Sequence, residues 1–185
     1  MPSFQHTNLP LPRIWLMSDE RLGESFLDAV KRLPTGAGII FRHYSLPQEA
    51  RRKLFRQTQR IARRRGYAVF LSDNERDAIS WKADGWHNRN GQRGAARNLA
   101  CSMPVHNPRE ILAANRARAD LVFLSPLYPT KSHAGAKALG GHRFAQLVKL
   151  ANMPAVALGG MTRGRAAMLD TRTVHGWAAI SEFQI

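Results

Sequence analysis

Eight short apolar runs in this chain stop at residues carrying hydroxyls, charges or imidazoles, and those stops are where chemistry could be done. They are Ser18-Asp19, Arg42-His43, Ser72-Asp73-Asn74, His87, Ser102, the segment from Ser125 to His133, Gly159-Gly160 and Ile180-Ser181. Gly159-Gly160, after Ala155 to Leu158, lets the backbone approach a ligand and aim N–H groups at it, as a phosphate requires. Thr130 and Ser132 offer hydroxyls, and Lys131 and His133 offer cations, within one segment that suits an anion. Asp19 and Asp73 are the carboxylates best placed to meet a hard cation such as Mg²⁺, which takes oxygen ligands and bridges protein to phosphate. A strand-end aspartate also serves simply to cap the next helix. His87 has an ordinary pKa near neutrality, with a structural role as the default. No Ser-His-Asp or Cys-His order stands out, which leaves nucleophilic catalysis unsupported.

The elements that must position these residues alternate. Strands are expected at Arg13–Ser18, Ala37–Arg42, Tyr67–Ser72, Asp84–His87, Leu99–Ser102, Asp120–Ser125, Pro154–Leu158 and His175–Ile180. Helical patterns lie between them at Glu24–Leu33, Pro47–Arg65, Glu75–Trp81, Gln92–Arg97, Pro108–Arg116, His142–Leu150 and Arg163–Leu169. Pro47 and Pro108 suit a first helical turn, and Gly66 suits a C-terminal cap. Parallel neighbours need crossovers, so strands alternating with helices predict a parallel sheet. Eight such units closed on themselves make a (β/α)8 barrel. The expected fold is therefore α/β: a compact (β/α)8 TIM barrel over residues 12–185, with residues 1–11 as an N-terminal extension. Sharing 185 residues among eight units leaves about 23 each, enough for a strand, a helix and two short loops. The crossover from Asn88 to Asn98 must then be minimal. An open doubly wound sheet is the alternative, but no Gly-x-Gly-x-x-Gly follows the first strand. In a barrel, chemistry sits at the carboxyl ends of the strands, and phosphate binds in the loops after strands seven and eight. Gly159-Gly160 and Ile180-Ser181 fall in those loops. From Ser125 the chain lacks helical period until about His142, a long loop of the kind that is usually functional.

The formal net charge is +15, from 28 Lys and Arg against 13 Asp and Glu, and such an excess draws polyanions. The densest block, Arg51 to Arg65, wraps a helix around Leu54, Phe55 and Ile61 and reads first as a solvated outer face. A nucleic-acid patch is the weaker reading, because no RNA-binding sheet signature or paired Cys/His finger spacing accompanies it. With 44% hydrophobic and 22% charged residues the chain is neither disordered nor fibrous. No apolar run approaches the roughly 20 residues of a membrane span, and Met1 to Leu11 lacks the pattern of a signal peptide. The lone Cys101 excludes an internal disulfide framework and a Cys-based zinc site. The expectation is a soluble, cytoplasmic single domain without a membrane partner.

Taken in order, several segments resemble those of one family. They are Arg42, Ser72-Asp73, Ala83-Asp84-Gly85-Trp86-His87, Ser102, Pro126-Leu127-Tyr128-Pro129-Thr130 and Val156-Ala157-Leu158-Gly159-Gly160-Met161-Thr162. From about Ile14 to Ser181 the chain resembles the thiamine-phosphate synthase and thiazole tautomerase superfamily of small (β/α)8 barrels. The resemblance implies a transferase of thiamine biosynthesis acting on phosphorylated small molecules. It would join hydroxymethylpyrimidine diphosphate to thiazole phosphate and release pyrophosphate, with Mg²⁺ stabilising the leaving group. It implies Arg42 as a diphosphate contact, Asp73 as a metal ligand and Ser102 as a pyrimidine-side contact. It implies a thiazole-phosphate cradle of Thr130, Ser132, Gly160, Ile180 and Ser181, with Gly141 and Gly159 grouped beside it, and His133 as the loop's candidate catalytic group.

Departures from the pattern cluster at the diphosphate end. The family's Gln and Lys around Arg42 are Ile40 and Tyr44, and the Asn before the metal Asp is Ser72. The second metal Asp falls near Gln92, and the loop Lys is His133. Losing one good electrostatic donor can cost about 10²–10³ in rate, so a synthase with a weakened diphosphate and Mg²⁺ end is the first expectation. A phosphate-ligand binder or tautomerase-like barrel without synthase activity is the second, and a nucleic-acid-binding barrel a distant third. The tautomerase needs a histidine after the sixth strand, where this chain has Pro126, and His87 or His133 would have to replace it.

Overall fold

The computed structural model describes residues 10–91, 94, 98–130 and 137–183. Its strands are β1 (Ile14–Met17), β2 (Gly38–Phe41), β3 (Ala68–Ser72), β4 (Gly85–His87), β5 (Ala100–Val105), β6 (Leu121–Leu124), β7 (Ala155–Ala157) and β8 (Gly176–Ala179). Each pairs in parallel with the next, and β8 pairs with β1, with Trp15 opposite Ala178, to close the barrel. The expected strand order and closure are thus present.

Side chains alternate between two cores, as a period of two demands. Trp15, Met17, Ile40, Phe70, Leu121, Phe123 and Val156 point inward. Leu16, Ile39, Phe41, Val69, Leu71, Val122 and Leu124 pack under the helices. The Trp15 ring meets Phe70 and Phe123 edge-on, with centroids 5.3 Å apart in each pair. Glycine faces these rings: a Cβ on Gly38 would overlap Trp15, and one on Gly85 would overlap Phe70. Pairing large rings with absent side chains fills a small interior to the close packing that cores require. Leu11, assigned by sequence to the extension, is buried in this inner cluster, so the chain contributes to the barrel from Leu11 onward.

The described helices are α1 (Phe26–Lys31, after a 3₁₀ segment Glu20–Ser25), α2 (Gln48–Arg65), α3 (Glu75–Ser80), α4 (Pro108–Ala117), α5 (Gly140–Val148) and α6 (Arg163–Ala166). Gly66 ends α2 with φ +67° and donates its N–H to the Ala62 carbonyl, the left-handed cap its position predicts. Three elements differ from expectation. The first crossover is split because Gly23, at φ +49°, breaks helical geometry. Helix α5 begins earlier than His142, where Gly140 N–H donates to the Leu127 carbonyl at 3.2 Å. Strand β5 runs past Ser102 to Val105, whose carbonyl accepts the Ser125 N–H at 3.1 Å. The helix expected over Gln92–Arg97 lies largely outside the described residues. Among the described residues no helix is long and apolar enough to cross a membrane.

Candidate active site

Both expected anion-binding ends open on one cleft at the carboxyl ends of the strands, lined by Arg42, Pro126, Thr130, Gly159, Gly160, Ile180 and Ser181 over a floor of Met17 and Ala178. Gly159 and Gly160 both have positive φ, +91° and +63°. A Cβ at Gly159 would lie 2.6 Å from Pro126 Cα, and one at Gly160 2.5 Å from the Pro129 carbonyl oxygen. The turn is pressed there by the Leu127 N–H donating to the Leu158 carbonyl (2.9 Å) and the Tyr128 N–H to the Gly159 carbonyl (3.1 Å). Glycine is therefore required by conformation and by space. The N–H groups of Gly160, Ile180 and Ser181 donate to no described backbone acceptor, which suits an anion.

Arg165 of α6 fixes the turn from behind, donating to the Gly160 carbonyl and lying 4.6 Å over the Tyr128 ring. Sequence reasoning missed it, because only the fold brings Tyr128 and Gly160 to α6. Gly141 is not brought to the cleft: it lies exposed in the first turn of α5, where a Cβ would meet nothing within 4 Å. Ser132 and His133 lie outside the described residues.

At the other end, Arg42 is held by β1. Its backbone N–H donates to Ser18 Oγ (2.7 Å), its Nε to the Ser18 carbonyl (2.5 Å), and its Nη2 lies 3.2 Å from Asp19 Oδ2. Asp19 is engaged twice more, capping the 3₁₀ segment through Arg21 N–H (3.0 Å) and pairing with Arg21 Nε at 2.7 Å. Its carboxyl is pulled down to about 2, chiefly by the Arg21 side-chain hydrogen bond. Asp19 is a cap and an ion-pair partner.

Arg51 corrects the reading of the basic block. It is only 6% exposed. Its Nε donates to the Arg42 carbonyl (2.8 Å), its Nη2 to the Ser72 carbonyl (2.6 Å), and its Nη1 lies 3.5 Å from Asp73 Oδ2. It thus ties the ends of β2 and β3 together and pairs with Asp73, one of the two carboxylates expected to meet a metal. The signal was present: Arg51 shares the buried stripe of Phe55, Thr58 and Ala62 at helical spacing. Asp73 has φ +139°, which non-glycine residues rarely adopt. Its carbonyl accepts Trp86 Nε1–H at 2.9 Å, and its carboxylate is half exposed.

Ser102 was expected as a pyrimidine-side contact. It lies within β5, fully buried, 2.9 Å from His87 Nδ1, and does not line the cleft. Burial pushes the His87 imidazole down to about 3, so it stays neutral and structural. His43 is lowered for the same reason, stacked on Phe41 with Nδ1 2.9 Å from Ser18 Oγ. Among the described residues no group of three or more His, Cys, Asp or Glu could hold a metal ion.

A family model for thiamine monophosphate synthase (TMP-TENI) matches residues 15–183. The chain belongs to the thiamine monophosphate synthase family. It is 28% identical over 180 residues to the thiamine-phosphate synthase of Bacillus velezensis, covering 90% of this chain and 80% of that protein. To the thiamine-phosphate synthase of Geobacillus kaustophilus it is 31% identical over 136 residues, covering 69% of this chain and 62% of that protein. Its fold matches the thiamine phosphate pyrophosphorylase of Pyrococcus furiosus with a TM-score of 0.76 at 23% identity, covering 91% and 85% of the two chains.

Within this thiamine monophosphate synthase family, two departures are structurally coupled. Tyr44 and Ser72, which the resemblance sets where the family has its lysine and asparagine, hydrogen-bond to each other at 2.5 Å between Oη and Oγ. The Tyr44 ring in turn carries two guanidinium groups near its centroid, Arg89 at 4.8 Å and Arg51 at 5.5 Å. Sequence reasoning did not single out Arg89, because only the fold brings it to Tyr44.

Proposed function

We propose that this protein is a thiamine-phosphate synthase that joins hydroxymethylpyrimidine diphosphate to thiazole phosphate, with its diphosphate end rebuilt. The observation that carries this reading is one cleft with two anion-binding ends: the Gly160, Ile180 and Ser181 N–H groups on one side and Arg42 on the other. In the proposed reaction the bond between the pyrimidine methylene and the diphosphate oxygen breaks, and both electrons go to the leaving group. The thiazole nitrogen lone pair then forms the new C–N bond. That nitrogen loses no proton, so no general base is needed, which accords with the neutral, buried His87 and His43. The work is to place two anionic substrates and to stabilise the departing charge.

The described residues do not fit a resident Mg²⁺. Asp73 is a single carboxylate already paired with Arg51 at 3.5 Å, whereas Mg²⁺ asks for octahedral oxygen ligands. We assign any Mg²⁺ to the diphosphate itself, as an ion carried in with the substrate. We also read the chain from Leu11 onward as one barrel domain working in the cytoplasm on soluble phosphorylated substrates, with Thr130 on the thiazole-phosphate side.

The test is thiazole-phosphate calorimetry together with thiamine-phosphate formation from both substrates. Binding that Gly160→Asp abolishes, with measurable turnover, is the expected result. No binding at millimolar ligand, with Gly160→Asp indistinguishable from the parent, overturns it. Thiazole-phosphate binding without turnover selects the second reading, a phosphate-ligand binder, which the exchange of the Lys and Asn positions for the Tyr44–Ser72 pair favours.

A further inference from the structure

We propose that Arg89 is a substrate-binding residue that takes the diphosphate together with Arg42, so that guanidinium groups on two loops replace the lost lysine and a resident metal. The inference rests on the synthase reading for the identity of the ligand, but its geometry stands separately. Arg89 follows β4 by two residues, in a turn held by the Asn88 N–H donating to the Ser102 carbonyl (2.7 Å) and the Asn90 N–H to Asn88 Oδ1 (3.1 Å). Its guanidinium lies 4.8 Å from the centroid of the Tyr44 ring. Tyr44 is itself fixed through its hydroxyl to Ser72. A positive charge missing from the side chain at position 44 is therefore restored over that same side chain by the neighbouring loop.

Arg89 is also available. It forms no ion pair with a described carboxylate and is exposed. Arg51 is not free in this way, because two carbonyls and Asp73 engage its guanidinium. Arg42 and Arg89 repel each other and both bear on His87; Arg42 lines the cleft, and Arg89 lines a second groove with Asn90, Met103 and His106. Arg42 keeps one carboxylate partner, Asp19, at 3.2 Å; Arg89 has no ion-pair partner among the described residues and is the guanidinium left to take an anion. A guanidinium suits the position better than an ammonium, since its plane stacks on a ring while its edge still donates two parallel N–H bonds to phosphate oxygens. As the leaving group departs it gains negative charge, and both arginines stay protonated throughout.

The experiment is calorimetry of inorganic pyrophosphate in EDTA and in Mg²⁺, alongside steady-state turnover, for the parent, Arg89→Ala, Arg89→Lys and Tyr44→Ala. The parent is expected to bind pyrophosphate in EDTA. Arg89→Ala and Tyr44→Ala should weaken that binding and raise KM for the pyrimidine diphosphate by about tenfold to a hundredfold, the worth of charge-assisted hydrogen bonds. Arg89→Lys should fall between. Thiazole-phosphate affinity should be unchanged in all three, which confirms that the barrel is intact. Pyrophosphate binding that requires Mg²⁺, or an Arg89→Ala protein that makes thiamine phosphate with an unaltered KM, overturns the proposal and leaves the synthase reading standing. Arg89-dependent pyrophosphate binding without any turnover does the opposite.

Discussion

Replacing Arg51 with methionine keeps most of the apolar stem and removes the guanidinium that joins β2 to β3. The carbonyls of Arg42 and Ser72 then lose donors at 2.8 and 2.6 Å. Each buried acceptor left without a partner costs about 1–3 kcal/mol. The contact with Asp73 adds little, because that carboxylate is half exposed and the pair is long. The expected loss is about 2–6 kcal/mol, or roughly 4–24 °C in Tm at about 2–4 °C per kcal/mol for a domain of this size. Arg56, exposed on the same helix, is the control, and Arg56→Met should stay within about 0.5 kcal/mol. Arg51→Lys should recover part of the loss, since a point-like ammonium cannot match the forked geometry. Urea and thermal unfolding followed by circular dichroism measure all three. Equal stability of Arg51→Met and Arg56→Met would refute the claim that the basic helix is functionally two-faced, and would return Arg51 to the solvated surface.

Gly160→Ala should destabilise the protein by more than the roughly 1–2 kcal/mol of a left-handed alanine, because its Cβ would also press to 2.5 Å on the Pro129 carbonyl; thiazole-phosphate titration should show binding lost, and retained affinity would show that the turn is not the cradle. The folded His87 pKa of about 3 lies below the unfolded 6.5, so its contribution is full above pH 6.5 and is lost as the pH falls toward 3. His87→Gln should therefore flatten acid unfolding in that window by up to about 1.4 kcal/mol per pH unit, and an unchanged slope would mean that His87 is not buried neutral. Reversing Arg56, Arg60 and Arg63, which line an outer groove away from the cleft, to Glu should leave KM for both substrates unchanged. Submicromolar, salt-steep RNA or DNA binding by the parent would make nucleic acid the true partner of that face.

The barrel was legible because its two cores have a simple period. Trp15 and Met17 face in while Leu16 faces out, and the same alternation recurs at Ile39, Ile40 and Phe41. The Gly159-Gly160 turn at the cleft was legible too, because it is a local signal whose place depends only on strand order. Arg51 was not, because a dense charge run hides one member that keeps the spacing of the apolar stripe. The end of β5 was set too early, at Ser102, because the strand continues through Pro104, a residue that usually argues for a strand's end. Arg89 and Arg165 act through rings at Tyr44 and Tyr128, distant in sequence, and no spacing rule connects such pairs.

The placement of charge also decides how the site should respond to pH. The imidazoles described beneath the cleft, His43 and His87, are held neutral by burial, with neighbouring guanidiniums adding to the same effect. Asp19 stays ionised because Arg21 and Arg42 hold its carboxyl near 2. The groups proposed to meet an anion are thus backbone N–H donors and arginines, none of which titrates near neutrality. Turnover should accordingly be flat from about pH 7 to 9, falling below that only as the substrate phosphates take up protons near pH 6. A site that used a histidine as general acid or base would instead give a bell with a limb near 6.5. The pH profile of kcat, taken with pyrimidine diphosphate and thiazole phosphate both saturating, separates the two. A limb that disappears in His87→Gln would place proton transfer in the chemistry and end the case for catalysis by fixed charge.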